Sequence, residues 1–283
     1  MTNADQPDRG IVYPVLSRRS AGLSLGINLF PRGKLCNFDC PYCEIPPLPI
    51  GRFSPGEDFT LAALEEGLRH FLEEEHPAAW GGFPLKDICF SGNGEPTLSP
   101  HFPDALELCS KIRRDYPAIA GESGLLLITN STGFIDAATR KGLADLSERH
   151  DLTVWAKLDS GGQELASAMH RSSYSLDAIL GGIKEFTLVR PAILQTMVCS
   201  LKGREPGGED AKALGKAIKD LLDSGCHIQG LQVYTIARPP LEPWAAGISD
   251  SGLKAYVRAL SPYLEGRIPV QAFGSTGLGP LDL

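Results

Sequence analysis

Three cysteines, Cys36, Cys40 and Cys43, lie close together in the segment LCNFDCPYC, with three and then two residues between them. No fourth ligand follows them at the short spacing that a closed metal site would use. An iron–sulfur cube held by protein alone uses four thiolates, so a set of three leaves one iron with an open coordination position. An open position on a metal indicates chemistry on a bound ligand, as it does for zinc.

The spacing resembles the cluster motif of the radical S-adenosylmethionine (radical SAM) enzymes, in which an aromatic residue, here Tyr42, precedes the last cysteine. The resemblance implies that the three cysteines bind a [4Fe-4S] cluster, whose open iron is chelated by the amino and carboxylate groups of S-adenosylmethionine. It also implies that one electron from the cluster cleaves this cofactor to a 5′-deoxyadenosyl radical, which abstracts a hydrogen atom from a substrate. A reductant such as flavodoxin or ferredoxin is then an expected partner.

Two other interpretations of the three cysteines stay open. They can hold a structural zinc ion in a ligand- or partner-binding barrel without catalysis, although zinc sites usually show a second Cys or His pair further along the chain. They can also be small apolar residues that pack in the core. Thiols that cluster in a Gly- and Pro-rich loop, however, rarely lie on one buried face.

The composition of the 283-residue chain is that of a folded globular protein, with 22% charged and 42% hydrophobic residues. Its net charge of −7 argues against extensive contact with a nucleic-acid backbone, which depends on lysines and arginines. No apolar stretch approaches the ~20 residues of a membrane span. The first ten residues are polar and show no secretory signal, so we expect a cytoplasmic protein.

Apolar runs of strand length alternate with helix-period segments, which predicts βα units around a parallel sheet. The runs at 23–30, 87–91, 124–129, 152–158, 192–198 and 231–237 predict six strands, and a short additional strand follows at 269–273. Right-handed connections would curl these units into a partial (β/α)6 TIM-like barrel. This α/β fold is also the radical SAM core that the resemblance implies. We expect the barrel to span 23–274, between an N-terminal extension at 1–22 and a C-terminal tail at 275–283.

Functional groups in parallel α/β folds gather at the carboxyl ends of the strands. The first strand leads into the cysteine loop and the second into SGNGEPT, where two glycines let the backbone approach a ligand closely. This segment resembles the glycine-rich element that holds the methionine amino group in radical SAM enzymes, although an asparagine separates its two glycines. The resemblance implies cofactor contacts from Gly92, Asn93, Gly94 and Glu95.

The later strand ends supply further candidates. Lys157 and Asp159 share one side of the fourth strand by its two-residue period, where they suit the cofactor or form only a structural ion pair. An apolar wall for adenine and an anion contact are expected after the sixth strand. With the aromatic residue of the cysteine loop, the predicted cofactor-binding set is Tyr42, Asn130, Lys157, Asp159, Tyr234, Ile236 and Arg238.

Other charged residues receive a simpler interpretation. Arg18 and Arg19 precede the cysteines, and a short charge run of this kind is typical of a solvated face. His170 and Arg171 follow a Gly-rich loop, and we expect the lone histidine to face solvent.

From about Tyr13 to Gly274 the chain resembles small bacterial and archaeal radical SAM proteins related to the enzymes of wyosine-type tRNA modification. The resemblance is carried by YPVLSRRSAGLSLGINLFPRGKLCNFDCPYCE and by the later segments SGNGEPTL, LLLITNSTG, WAKLDS, QTMV and YTIARPP. This kinship implies an RNA base as the substrate, whereas the acidic chain favours a small molecule.

Overall fold

Ten strands are present in the part of the chain that the computed structural model describes, residues 10–46 and 58–283. They are β1 (Val12–Ser17), β2 (Gly22–Ile27), β3 (Leu85–Phe90), β4 (Gly124–Thr129), β5 (Leu152–Lys157), β6 (Ala192–Met197), β7 (Cys199–Leu201), β8 (Ile228–Tyr234), β9 (Ala245–Gly247) and β10 (Val270–Phe273). Eight of them form one sheet in the order β1-β2-β3-β4-β5-β6-β8-β10, and β7 pairs with β9.

Eight α-helices accompany the strands within these described ranges. They are α1 (Leu61–His70), α2 (Phe102–Asp115), α3 (Pro117–Ala120), α4 (Ala137–His150), α5 (Gln163–His170), α6 (Leu176–Thr187), α7 (Gly208–Asp223) and α8 (Asp250–Leu264). A π-helical segment, Phe71–Trp80, continues α1, and short 3-10 turns occur at Pro96–Leu98 and Thr132–Phe134. Side-chain caps fix several starts, since Thr60, Asp136 and Ser175 each accept a hydrogen bond from a backbone N–H three residues later.

The large sheet is an open, curled half-barrel, and β1 is its one antiparallel member. The α/β class and the partial barrel expected from the sequence are therefore confirmed. Each predicted strand is present, with ends that differ by up to a few residues, whereas β1 was not predicted. That strand contains Pro14, which lacks the N–H of a central strand but is tolerated at a sheet edge.

Burial of the strands on both faces explains why they are uninterrupted apolar segments. Every residue of β2 is buried. The helices cover the outside through one apolar stripe each, for example Leu64 and Leu68 of α1. Phe134 of the 3-10 turn stacks on Phe186 of α6, with ring centroids 4.4 Å apart. In the described ranges, no helix is long and apolar enough to cross a membrane.

The two edge strands, β1 and β10, are linked by the last residues of the chain. Gly279 donates a backbone hydrogen bond of 3.2 Å to the Arg18 carbonyl in the β1–β2 turn, and Leu281 donates one of 2.7 Å to Ala272 of β10. The predicted tail at 275–283 thus contacts both edges of the open sheet. Of the predicted extension at 1–22, residues 1–9 lie outside the described residues, and β1 joins the sheet through β2.

Candidate functional site

The cysteine loop, defined here as residues 28–46, is hydrogen-bonded to the end of β3. Leu35 donates from its backbone to Asn93 at 3.0 Å, and Glu95 donates from its backbone to the Leu35 carbonyl at 2.9 Å. Gly94 permits this approach, since a Cβ there would lie 1.9 Å from the Leu35 carbonyl oxygen. Gly92 has a φ of 118°, a conformation that favours glycine. Both glycines are therefore required by the way the loop meets the sheet.

The Glu95 side chain is buried, and it faces neighbouring strand ends. One carboxylate oxygen accepts hydrogen bonds of 2.7 Å from each of the Thr97 and Thr129 hydroxyls, and the other accepts the Asn130 N–H at 2.6 Å. Burial raises the pKa of Glu95, and the donated hydrogen bonds act in the opposite direction. In this structure the carboxylate holds the turns after β3 and β4 together, and its contact with a cofactor stays a prediction.

Asn130 connects this carboxylate to the cysteine loop. Its side-chain amide donates to the side-chain oxygen Oδ1 of Asn37 at 2.7 Å and approaches the Cys36 sulfur at 3.7 Å. The predicted residue Asn93 has a similar position, because its side-chain amide donates to the Phe30 carbonyl at 3.1 Å. Both asparagines are thus placed to fix the loop.

The three thiols of the loop are partly buried. Backbone N–H groups point at two of the sulfurs, from Phe38 to Cys36 at 3.5 Å and from Ile45 to Cys43 at 3.4 Å. Burial raises the pKa of Cys36 and raises that of Cys40 to about 12, so metal binding would release protons from both. Within the described residues no three His, Cys, Asp or Glu side chains are arranged to hold a metal ion.

The donor set nevertheless fits an iron–sulfur cluster by its chemistry. Three thiols on one loop supply three of the four ligands that such a cluster takes, and hydrogen bonds to the sulfurs are a normal part of its surroundings. Cys36, Cys40 and Cys43 are the residues that would hold the group.

Beside the loop lies a cavity of about 350 Å³ inside the half-barrel. Eight residues of the predicted set line it: Tyr42, Cys43, Gly92, Gly94, Lys157, Tyr234, Ile236 and Arg238. The others lie outside its wall: Cys36, Cys40, Asn93, Glu95, Asn130 and Asp159. The volume falls within the range of small-molecule sites.

Lys157 and Asp159 form an ion pair of 3.3 Å on one side of the strand end, as the two-residue period predicts. The Tyr42 hydroxyl donates to Asp159 at 2.5 Å, and the Lys157 ammonium donates to the Tyr234 hydroxyl at 3.1 Å. Burial lowers the pKa of Lys157, but Asp159 and Tyr234 outweigh burial and hold that pKa above its usual value. Burial and then Asp159 raise the pKa of Tyr42. At neutral pH the lysine is thus charged and the phenol neutral.

Arg238, predicted to meet an anion, donates to Glu44 of the cysteine loop at 2.5 Å. This ion pair lies at the rim, where the arginine side chain is 61% exposed. Arg238 therefore has an anion partner within the chain.

The expectation of a solvated face at Arg18 and Arg19 was wrong, because both side chains line the cavity. Their position depends on the β1–β2 turn, which the sequence interpretation did not contain. Trp155 of β5 lines the cavity as well, although the sequence analysis did not assign it to the site. The sequence could have indicated this residue, because the two-residue period that relates Asp159 to Lys157 also places Trp155 on the same side of the strand.

The expectation that His170 faces solvent was also wrong. The ring is buried against Phe38 of the cysteine loop, with centroids 4.7 Å apart, and burial lowers its pKa. The reason is that α5 carries the histidine beneath the loop. Arg171 follows it and binds Asp39 at 2.9 Å and Glu242 at 2.6 Å, so this arginine also fixes the loop.

Comparison with known sequences gives relatives whose name states no reaction. No family model matches this chain. Two curated proteins from strains of Helicobacter pylori, each called UPF0026 protein, are 28% identical over 232 and 240 residues, which is 80% of this chain. The matched region covers 66% of their own length, just under two thirds. A UPF0026 protein of Synechocystis is 27% identical over 62% of this chain.

Solved structures give the fold. A radical SAM methyltransferase from Sphaerobacter thermophilus matches 91% of this chain and 67% of its own, with a TM-score of 0.61 and 15% identity. Streptococcus suis SuiB bound to the precursor peptide SuiA matches 87% of this chain and 48% of its own, with a TM-score of 0.58 and 14% identity. Methylornithine synthase (PylB) matches 84% of this chain and 62% of its own, with a TM-score of 0.51 and 12% identity. This chain therefore has the fold of radical SAM enzymes. Its kinship with wyosine-type enzymes stays a prediction.

Proposed function

We propose that this protein is a radical SAM enzyme. The observation that carries the proposal is a loop with three cysteines, at the carboxyl edge of a half-barrel of this fold, beside a cavity of small-molecule size. When bound, a [4Fe-4S] cluster supplies one electron to S-adenosylmethionine, which yields methionine and a 5′-deoxyadenosyl radical for hydrogen abstraction. A reductant such as flavodoxin or ferredoxin is needed to supply that electron.

The residues of the chain would hold, orient and shield the reacting groups. Cys36, Cys40 and Cys43 are the cluster ligands. The glycine turn after β3 brings backbone polar groups to the cavity without side chains in the way. The rings and alkyl groups of Tyr42 and Ile236 give the wall an apolar part.

Lys157 is suited to bind a carboxylate or a hydroxyl of the cofactor. An ammonium group has three N–H donors, and the described contacts use two of them, to Asp159 and Tyr234. A third hydrogen bond can be donated to a bound molecule without loss of the ion pair.

The proposal is tested by anaerobic reconstitution of the protein with iron and sulfide, followed by reduction with S-adenosylmethionine present. We expect iron and sulfide in the protein and formation of 5′-deoxyadenosine. A variant with all three cysteines changed to serine is the control, and it should form no product. A protein that binds zinc and stays colourless, or a fully loaded cluster that forms no 5′-deoxyadenosine, would contradict the proposal.

For the substrate we propose a small molecule over an RNA base. The cavity of about 350 Å³ and the net charge of −7 favour it, because nucleic-acid binding draws much of its affinity from basic groups on phosphates. Filter binding with tRNA at low and high salt is the test. Tight, salt-sensitive binding would favour RNA.

A further inference from the structure

The wall of the cavity beside the β1–β2 turn contains two arginines in different environments. The Arg19 guanidinium donates to Gln195 at 2.8 Å and lies 4.6 Å and 5.4 Å from the ring centroids of Tyr234 and Trp155. An amide and two aromatic faces therefore fix its position. Arg18 is different: its Nη1 atom is buried and has no hydrogen-bond partner among the described residues.

Trp155 provides a second buried donor without a partner. The side chain is 6% exposed, and its indole Nε1 makes no hydrogen bond to any residue that the structure describes. Buried polar groups are nearly always paired, so each such group calls for an explanation. Both Nη1 of Arg18 and Nε1 of Trp155 are donors, and they come from separate elements that line the same cavity. A ligand that satisfies them must bring acceptors.

Of the four cationic side chains that line the cavity, Arg18 and Arg19 form no ion pair with a residue that the structure describes. Lys157 has Asp159 at 3.3 Å, and Arg238 has Glu44 at 2.5 Å. Asp87 is buried and accepts a hydrogen bond from Ser24, which lines the cavity. Burial raises the pKa of Asp87, whereas hydrogen bonds from Ser20 and Ser24 and the charge of Arg19 act in the opposite direction. Burial, Arg19 and Arg238 lower the pKa of Arg18, whereas Tyr234 acts in the opposite direction, so no carboxylate contributes to balancing its charge.

We propose that Arg18, Arg19 and Trp155 form a binding site for an anionic group, a carboxylate or a phosphate, of the substrate. The guanidinium of Arg18 pairs with the anion, the fixed guanidinium of Arg19 adds a second positive charge, and the indole N–H donates to an anion oxygen. This inference rests on the proposed function, because it assigns the substrate class of the same cavity. Substrates are then acids or phosphate esters.

The first experiment measures anion binding directly, without cofactor cleavage. The full-length protein is titrated with inorganic phosphate and, separately, with acetate at constant ionic strength, while the indole N–H resonances of its three tryptophans are followed by NMR. The variant Trp155→Phe assigns the resonance of interest. We expect a saturable downfield shift of that resonance alone. A lower dissociation constant for phosphate indicates a phosphoryl group, and a lower one for acetate indicates a carboxylate.

Variants locate the anion. Arg18→Gln should weaken binding about tenfold, the loss of roughly one charge-assisted hydrogen bond. Arg18→Lys keeps the positive charge and should weaken anion binding less than Arg18→Gln does. It replaces Arg18→Gln in the test if the glutamine variant does not fold. Arg258→Gln, an exposed arginine on α8, should change nothing. A shift that does not saturate, or that persists unchanged in both Arg18 variants, means an adventitious ion only and overturns the proposal.

A second measurement separates the substrate from the cofactor. Affinity for S-adenosylmethionine is measured on the cluster-loaded protein, and Arg18→Gln should leave it within about twofold of the unchanged protein. A loss as large as that for the anions would assign Arg18 to the carboxylate of the cofactor and overturn the substrate assignment. Failure of 5′-deoxyadenosine formation, by contrast, would contradict the radical SAM proposal and leave the anion titration unaffected.

Discussion

The cavity of this protein has two polar regions that differ in how their charges are balanced. On the loop side, Lys157, Asp159, Tyr42 and Tyr234 are joined by an ion pair and hydrogen bonds within the chain. On the hairpin side, which consists of Arg18, Arg19 and Trp155, two buried donors have no partner among the described residues. Partners within the chain thus satisfy the polar groups of the loop side, whereas we propose that a ligand satisfies the donors of the hairpin side.

The difference separates two ways in which a polar group contributes to a protein. A buried charge with its partner supports the fold, and removal of that partner is costly. A charge kept without a partner reduces stability and is retained for binding. Substitutions on the two sides should therefore differ in sign as well as in size.

The largest effect is expected from Cys40→Ser. Loss of one thiolate should abolish stable cluster binding and reduce 5′-deoxyadenosine formation more than about 100-fold. Removal of a group that only supports a metal ligand already lowers metal affinity or activity roughly 10–100-fold, and loss of the ligand itself should cost more. Iron and sulfide analysis and product assay measure this. The control Cys226→Ser changes a buried thiol far from the loop and should keep full iron content. Full iron in Cys40→Ser would remove this cysteine from the ligand set.

A stability comparison of Asp159→Asn with Arg18→Met tests the contrast between the two sides directly. Asp159→Asn leaves the buried Lys157 charge without its partner and should lower the free energy of unfolding by about 3 kcal/mol. Arg18→Met removes an unpaired charge and should leave the free energy of unfolding unchanged or raise it by up to about 1 kcal/mol. Urea unfolding measures both. Equal losses in the two variants would mean that Arg18 has a structural role.

Gly94→Ala tests how closely the cysteine loop must approach the sheet. The added Cβ would meet the Leu35 carbonyl at 1.9 Å, so the loop must shift, and stability should fall by about 1–3 kcal/mol together with iron content. Gly142→Ala is the matched control, since a Cβ there meets nothing within 4 Å on an exposed position of α4. It should raise stability by roughly 0.5–1 kcal/mol. An unchanged iron content in Gly94→Ala would show that the loop tolerates the shift.

The smallest effect is expected for the pH dependence of stability that the buried His170 ring contributes. Burial lowers the pKa of His170, so the folded protein binds this proton more weakly than the unfolded chain does. The contribution of His170 to stability is therefore complete above the unfolded pKa of about 6.5 and decreases as the pH falls below it. Urea unfolding is measured from roughly pH 5 to 8, a range that brackets this pKa. The free energy of unfolding should depend less on pH in His170→Gln than in the unchanged protein. An unchanged pH dependence in His170→Gln would contradict this expectation.

Local patterns in the sequence determined the parallel strands, the cysteine loop and the side-by-side position of Lys157 and Asp159. These depend on residue type and on spacing along one element, which is what a sequence contains. The edge strand β1 was not predicted because Pro14 gives it a weak strand pattern. The burial of His170 was not predicted because α5, the helix that ends at this residue, was not predicted either.

Only the tertiary structure decided which predicted residues face the cavity and which support it. Glu95 and Asn130 belong to the glycine turn and a strand end by sequence, yet the Glu95 side chain joins the turns after β3 and β4, and the Asn130 side chain fastens the cysteine loop. Arg18 and Arg19 have the sequence of a surface turn, but pairing of β1 with β2 brings both to the cavity wall and places Arg19 against β5 and β8. Their environment is set by residues more than a hundred positions away. No spacing along the chain encodes that environment.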